Sequence, residues 1–195
     1  MPEVEYTTQV ALPREAVWEF VKDMNNWAPY LTGYQTHEIL SETDSVWTLK
    51  GDVGVLARVV KLKAHVTEWN GPERVSFTLT GLNEQVDGDG TLEMGAAGAV
   101  DVSGVDETKA SPKRSFFGRL LDALFRFFFR RMHGPAPVRE LAVKGGPASS
   151  LRFRLRMDAG GPTGPLVNAM LAPALRPAAE DLANKIAAHL EKGAA

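Results

Sequence analysis

The sequence lacks cysteine, long apolar runs and a recognisable leader, and each absence removes a class of protein. Without cysteine among its 195 residues, the chain can form neither disulfides nor thiolate metal sites. No run of about eighteen uncharged apolar residues occurs, so we expect no membrane-spanning helix. The opening residues, MPEVEYTTQVALP, carry no basic region followed by an apolar run. We therefore expect no signal peptide and a cytoplasmic protein.

Known catalytic motifs are also absent from the sequence. It contains no G-x-S-x-G nucleophile elbow, P-loop, dinucleotide-binding fingerprint or H-E-x-x-H motif. Its four histidines are far apart and are expected at solvent-facing strand positions, although His37 and His65 could approach each other on neighbouring strands. We predict no metal site, no cofactor and no catalytic residue, and we favour a binding protein over an enzyme.

Positive charge is concentrated in one part of the chain. Residues 105–156 contain twelve of the 22 lysines and arginines but only four of the 24 acidic residues, a net charge of +8, while the remainder carries −10. A basic segment in an acidic protein indicates that one region meets an anionic surface. Because the aromatic residues near it are clustered phenylalanines rather than spaced stacking platforms, we predict no nucleic-acid binding.

The order of predicted elements indicates an α+β fold. A first alternating strand is followed by a helix opened by Pro13 and by a second short helical segment. Five further strands, one more strand at residues 150–158 and a long apolar stripe near the C-terminus complete the pattern. Pro173 and Pro177 are expected to kink or split this last helix. One curved antiparallel sheet and one long amphipathic helix pack best with the helix in the concave face, which leaves an apolar hollow between them.

Two stretches resemble a known superfamily. VWEFVKDMNNWAPYLTG is similar to the first-helix signature of the START-like, or polyketide-cyclase-like (SRPBCC), superfamily, and residues 47–94 resemble its carbon monoxide dehydrogenase G-like group. The resemblance covers residues 3–96 and 149–191. It implies a helix-grip fold, with two short helices after the first strand and a curved sheet wrapped around the C-terminal helix. It also implies binding of lipids, quinones, polyketides or other apolar molecules.

The predicted ligand contacts combine inward-facing apolar positions with aromatic residues that, by the resemblance, border the mouth of the pocket. The aromatic rings and polar tips of Trp27 and Tyr30 could stack on and orient a planar ligand. The whole predicted set is Trp27, Tyr30, Leu31, Leu62, Ala64, Val66, Phe77, Leu79, Leu92, Phe153, Leu155, Val167, Met170, Leu171 and Leu175.

A Phe-rich segment at residues 113–131 departs from the family pattern. It holds six of the nine phenylalanines, and as a helix it would show a broad apolar face with a narrow polar stripe of arginines. Such a face must be covered by the protein's own body, by a partner or second copy, or by a membrane interface. The predicted contact residues are Phe116, Phe117, Arg119, Leu120, Leu121, Leu124, Phe125, Arg126, Phe127, Phe128, Arg130 and Arg131.

We therefore predict one helix-grip domain spanning residues 1–195, with residues 97–148 inserted between the last two strands. The predicted function is to bind, and to transfer, a hydrophobic small molecule while the inserted segment docks on the inner membrane. Two alternatives stay open: a cyclase or dehydratase of the polyketide-cyclase type, which needs an ionisable residue facing the ligand, and an assembly factor that uses the Phe-rich segment as a protein interface or to form a homodimer.

Overall fold

The computed structural model describes residues 1–53, 56–96 and 148–193, which form a seven-stranded sheet and the helices that pack on it. The strands are β1 (Glu3–Val10), β2 (Tyr34–Ile39), β3 (Asp44–Val53), β4 (Leu56–Asn70), β5 (Arg74–Gly81), β6 (Val86–Ala96) and β7 (Ser149–Ala159). The helices are α1 (Arg14–Val21), α2 (Met24–Trp27) and α3 (Gly164–Gly193), with a 3-10 turn at Ala28–Tyr30.

All neighbouring strands of the sheet are antiparallel. Their order is β1-β7-β6-β5-β4-β3-β2, so each strand from β2 to β6 pairs with its neighbour in sequence, while β1 lies against β7. The long helix α3 packs against β1 and β7 and against the 3-10 turn. The predicted α+β helix-grip fold is confirmed, including the two short helices after the first strand.

The connection from β1 to β2 is built by short-range polar contacts. Pro13 caps α1, and the Asp23 carboxylate accepts a hydrogen bond from the Asn25 amide at the start of α2. Gly33 has a φ of +80°, and its carbonyl accepts a 2.7 Å hydrogen bond from the Lys50 amide. A side chain at Gly33 would overlap the Lys50 carbonyl, so the turn into β2 needs glycine.

Helix α3 is continuous, which corrects the expectation that its prolines would split it. Pro173 and Pro177 lie within the helix at exposed positions. The carbonyl groups four residues earlier lose their helical partners but are on the solvent side, where water can bond them. The C-terminal half of the helix carries the buried side chains Leu182, Ile186 and Ala187, which pack with α1, β1 and β7 in the main hydrophobic core.

On the outer face of the sheet, the three arginines of β7 lie between acidic residues of β1 and β6. Arg154 pairs with Glu3, Arg156 with Asp89, and Arg152 lies within 4.0 Å of acidic groups on both neighbouring strands. The hydrogen bond that the Arg154 guanidinium donates to the Glu3 carboxylate raises the pKa of Arg154. The arginine face of β7 is therefore a solvated outer surface whose charges are paired with acids on the neighbouring strands.

The predicted insertion falls between β6 and β7 in chain order. Apart from Ala148, residues 97–148 lie outside the described residues, and so do all the predicted contact residues of the Phe-rich segment. Among the helices in the described ranges, none combines the length and the apolar character needed to cross a bilayer.

Candidate ligand site

Strand register identifies the residues that share the inner face of the sheet. Met157 of β7 pairs with Gly88, Gly88 with Leu79, and Leu79 with Ala64. A second row runs parallel to the first through Leu155, Gly90, Phe77 and Val66. Since directly paired residues point to the same face, both rows face the side on which Leu155 and Met157 meet α3. In this part of the sheet the inner face is made of apolar side chains and glycine.

Glycine in β6 lets the Phe77 ring lie close to the sheet. A Cβ at Gly90 would overlap this ring and would lie 2.9 Å from the Arg154 carbonyl oxygen. Gly88 likewise leaves the position opposite Leu79 without a side chain. Because Gly88 and Gly90 of the sequence VDGDG carry no side chains, the inner face of the sheet has a shallow depression along β6.

Burial along α3 changes from one end of the helix to the other. Its C-terminal half buries Leu182, Ile186 and Ala187, whereas the apolar residues Val167, Met170 and Leu171 near its start are only half-buried. The inner-face residues Ala64, Val66, Phe77 and Leu79 are half-buried as well. The apolar surface at this end of the helix and sheet is therefore incompletely covered, unlike the core at the other end.

Aromatic residues cluster where α2 meets β2 and β3. The Trp47 ring stacks on Trp27, with centroids 5.5 Å apart, and on His37, with centroids 4.8 Å apart and planes 17° apart. Tyr34 contacts the edge of Trp47 and its hydroxyl lies 2.9 Å from Nδ1 of His37. The indole Nε1 of Trp47 donates to the buried Ser45 hydroxyl. These contacts hold three rings in nearly parallel planes.

An irregularity in β2 places Tyr34 and His37 on the same face. The register shifts between Tyr34 and Thr36, so that Tyr34 pairs with Leu49 and His37 with Trp47. Trp47 in turn pairs with Leu62, which belongs to the inner face. Both residues of β2 are therefore inward and half-buried.

This position of His37 differs from the solvent-facing one expected from the sequence. Strand alternation alone would place Tyr34 and His37 on opposite faces, because they are three positions apart. The bulge that brings them to the same face has no marked sequence signal. His65, in contrast, lies on the outer face as expected. It is paired with Asp44, whose pKa is held well below its usual range mainly by a hydrogen bond from Lys63.

The predicted ligand contacts fall into three groups. Seven are half-buried residues of the inner sheet and the start of α3: Ala64, Val66, Phe77, Leu79, Val167, Met170 and Leu171. Five pack in or against the hydrophobic core or are themselves buried: Leu62, Leu92, Phe153, Leu155 and Leu175. The last three are Trp27, Tyr30 and Leu31, which pack against the main core beside α1 and the end of α3.

The polar tips of the predicted aromatic contacts are already used within the protein. Trp27 donates its indole N–H to the Val21 carbonyl, and the Tyr30 hydroxyl lies 2.9 Å from Nδ1 of His189. His189 is 22 residues beyond Val167 on the same helix, a separation of about 33 Å. The structure thus places Tyr30 far from the start of α3, while Trp27 joins the ring cluster on Trp47.

Comparison with known proteins supports the assignment of the fold. One protein-family model matches residues 1–132, more than half of the chain. No curated protein sequence matches the chain.

Solved structures similar to this fold share little sequence with the chain. A protein from Thermus thermophilus has a TM-score of 0.62 at 16% identity, with all of both chains covered. A START superfamily protein from Mycobacterium smegmatis has a TM-score of 0.54 at 13% identity, covering 97% of each chain. The Zhui aromatase/cyclase from a Streptomyces species has a TM-score of 0.53 at 14% identity, covering 99% of this chain and 95% of that one. Together with the sheet order and the gripped helix, these findings show that the chain has the helix-grip fold that these solved structures share.

Proposed function

We propose that this protein binds an apolar small molecule between the inner face of the sheet and the N-terminal half of α3. The observation that carries the proposal is the graded burial of α3, whose C-terminal half is packed while Val167, Met170 and Leu171 near its start stay half-buried. Covering such surface with an apolar ligand contributes about 25 cal/mol per Å² removed from water. A lipid, a quinone or a polyketide-like molecule has the required apolar surface.

The proposal is also supported by the chemistry of the inner rows and by one fold relative. Ala64, Val66, Phe77 and Leu79 carry no group that would have to be desolvated when a ligand is bound. The Zhui protein is named as an aromatase/cyclase, an activity that needs a bound organic substrate. The narrower resemblance to the carbon monoxide dehydrogenase G-like group stays a prediction.

A ring placed in the proposed site should weaken ligand binding without unfolding the protein. We expect Ala64→Phe, on the inner face, to weaken binding of the tricyclic hydrocarbon fluorene at least about tenfold, because the new ring occupies the space of the ligand. Equilibrium dialysis measures the affinity, and mass spectrometry of extracts from freshly purified protein identifies what it carries.

The matched control is Thr78→Phe, which introduces the same ring on the exposed outer face of the adjacent strand β5. It should bind fluorene as the unmodified protein does. Equal affinity of the Ala64→Phe variant and this control would contradict the proposed position of the ligand, and no binding by the unmodified protein would contradict the function.

We further propose that residues 113–131 dock the protein on an anionic membrane surface, so that a ligand can be transferred between bilayer and protein. The support comes from the sequence alone: six phenylalanines and a stripe of arginines form the pattern of an interfacial helix. Within this proposal, residues 97–148 are an insertion in a single domain and the protein is cytoplasmic and peripheral to the inner membrane.

Flotation with liposomes tests the docking. The unmodified protein should float with vesicles that contain anionic lipid, and Phe125→Asp combined with Phe128→Asp should remove flotation, since two charges oppose insertion of the apolar face. A control variant with Leu82→Asp and Leu166→Asp changes two exposed leucines elsewhere, 53% and 62% accessible, and should still float.

Other results would favour the alternative uses of the segment. Flotation unchanged by the two Phe substitutions would contradict docking through this segment. A tight dimer in analytical ultracentrifugation, without lipid affinity, would instead favour a protein interface.

A further inference from the structure

His37 is an ionisable group on the inner face of the sheet, beside apolar residues of β3 and β4. It lies in the row His37, Trp47, Leu62, which is directly beside the row that contains Ala64 and Leu79. Strands β2 and β4 are separated by β3, a distance of about 10 Å. A tricyclic molecule that lies over Ala64 and extends across Trp47 toward β2 would bring one end to the imidazole ring at the side of the site.

The hydrogen bond with Tyr34 determines which ring nitrogen of His37 carries the proton. A phenol is a better hydrogen-bond donor than a neutral imidazole N–H, and an imidazole nitrogen is a better acceptor than a phenol oxygen. We therefore assign the 2.9 Å contact as Tyr34 Oη–H donating to Nδ1. In this tautomer Nε2 bears the hydrogen and is a donor.

Ring packing fixes the plane of the imidazole and leaves Nε2 for a ligand. The His37 ring lies nearly parallel to the buried Trp47, and its other contact is the tilted ring of Tyr34. Within the described part of the chain, Nδ1 of His37 is hydrogen-bonded to the Tyr34 hydroxyl, and Nε2 has no hydrogen-bond partner. A positioned N–H on an apolar surface strongly prefers a ligand that offers it an acceptor.

We propose that His37 Nε2–H donates a hydrogen bond to a carbonyl oxygen of the ligand, so that the site selects planar aromatic ketones and quinones over aromatic hydrocarbons. This inference rests on the proposed function and goes beyond it by naming the ligand class and the residue that selects it. Tyr34 is the positioning residue that holds the required tautomer, and Trp47 supports the ring plane.

A matched pair of probes, 9-fluorenone and fluorene, tests the selection. The two share a tricyclic skeleton and differ by a carbonyl in place of a methylene group. The unmodified protein should bind fluorenone about tenfold more tightly than fluorene. His37→Phe keeps a ring on Trp47 but removes the donor, so its fluorenone affinity should fall to the level of fluorene while fluorene binding changes less than about twofold.

Control variants separate the role of His37 from general effects of substitution. His65→Phe makes the same change on the outer face of the sheet and should keep the preference for fluorenone. Tyr34→Phe keeps His37 but removes the hydrogen bond that fixes its tautomer. The preference for fluorenone over fluorene should therefore be reduced rather than lost.

The outcomes distinguish failure of this inference from failure of the proposed function. If both probes bind with no preference, or if the preference persists in His37→Phe, the role of His37 is overturned while ligand binding stands. If neither probe binds the unmodified protein, the proposed function fails and the inference with it.

Nitrogen NMR provides a second measurement that needs no variant. In protein labelled with ¹⁵N-histidine, the histidine whose signals change with ligand should have Nε2 protonated and Nδ1 unprotonated. Its Nε2 signal should shift with fluorenone and not with fluorene. A Nδ1-protonated ring, or equal shifts with both probes, would overturn the inference.

Discussion

Replacing Ile186 with alanine is expected to lower the free energy of unfolding by about 2–5 kcal/mol. Ile186, in the C-terminal half of α3, is 6% exposed and lies in the main core with Val10 of β1 and Val17 of α1, which are fully buried. The truncation leaves a cavity in a region that is packed from both sides and cannot easily collapse. Chemical denaturation followed by circular dichroism measures the change.

Leu166 in the same helix provides the matched control. Its side chain is 62% exposed at the start of α3, so alanine at this position should change the free energy of unfolding by less than about 0.5 kcal/mol. Equal losses at the two positions would show that the two halves of the helix are packed alike, which would contradict the graded burial on which the proposed function depends.

The substitution Gly90→Ala is expected to destabilise the protein by about 1–3 kcal/mol and to weaken ligand binding. The added methyl group would overlap the Phe77 ring and would approach the Arg154 carbonyl oxygen to 2.9 Å. Relief requires the ring to move away from the sheet, into the space assigned to the ligand. Denaturation and the fluorene affinity should therefore change together.

Gly51→Ala is the corresponding control on β3. At this glycine the nearest atom to a new Cβ is the Arg58 carbonyl oxygen at 3.9 Å, an ordinary contact. The added side chain should leave stability unchanged or raise it by up to about 1 kcal/mol, because alanine restricts the unfolded chain. If Gly90→Ala were as mild as this control, the close approach of Phe77 to β6 would be wrong.

The order of elements and the fold class could be predicted from the sequence because each strand and helix carries its own periodicity. The alternation in SLRFRLRMD separates an apolar face from an arginine face, and the observed ion pairs of Arg154 and Arg156 are on the second. The apolar stripe from Val167 to Leu190 likewise predicted α3. The two prolines do not split α3, because the effect of a proline depends on whether the carbonyl group it leaves unbonded faces water or protein.

The candidate site was predictable in composition but not in arrangement. Alternation identified Ala64, Phe77 and Leu79 as inward, because a strand has only two faces. It did not separate the residues that the core encloses, such as Leu62 and Leu175, from those that stay half-exposed, since both types look alike in sequence.

Local periodicity thus determined the elements, their faces and their order, because these depend on residues a few positions apart. The tertiary structure alone decided which contacts join distant segments: α3 against β1 and β7, Trp27 on Trp47, and His37 turned inward by an irregularity in β2. Such contacts depend on register and on packing between residues that the chain separates widely, and no local pattern encodes them.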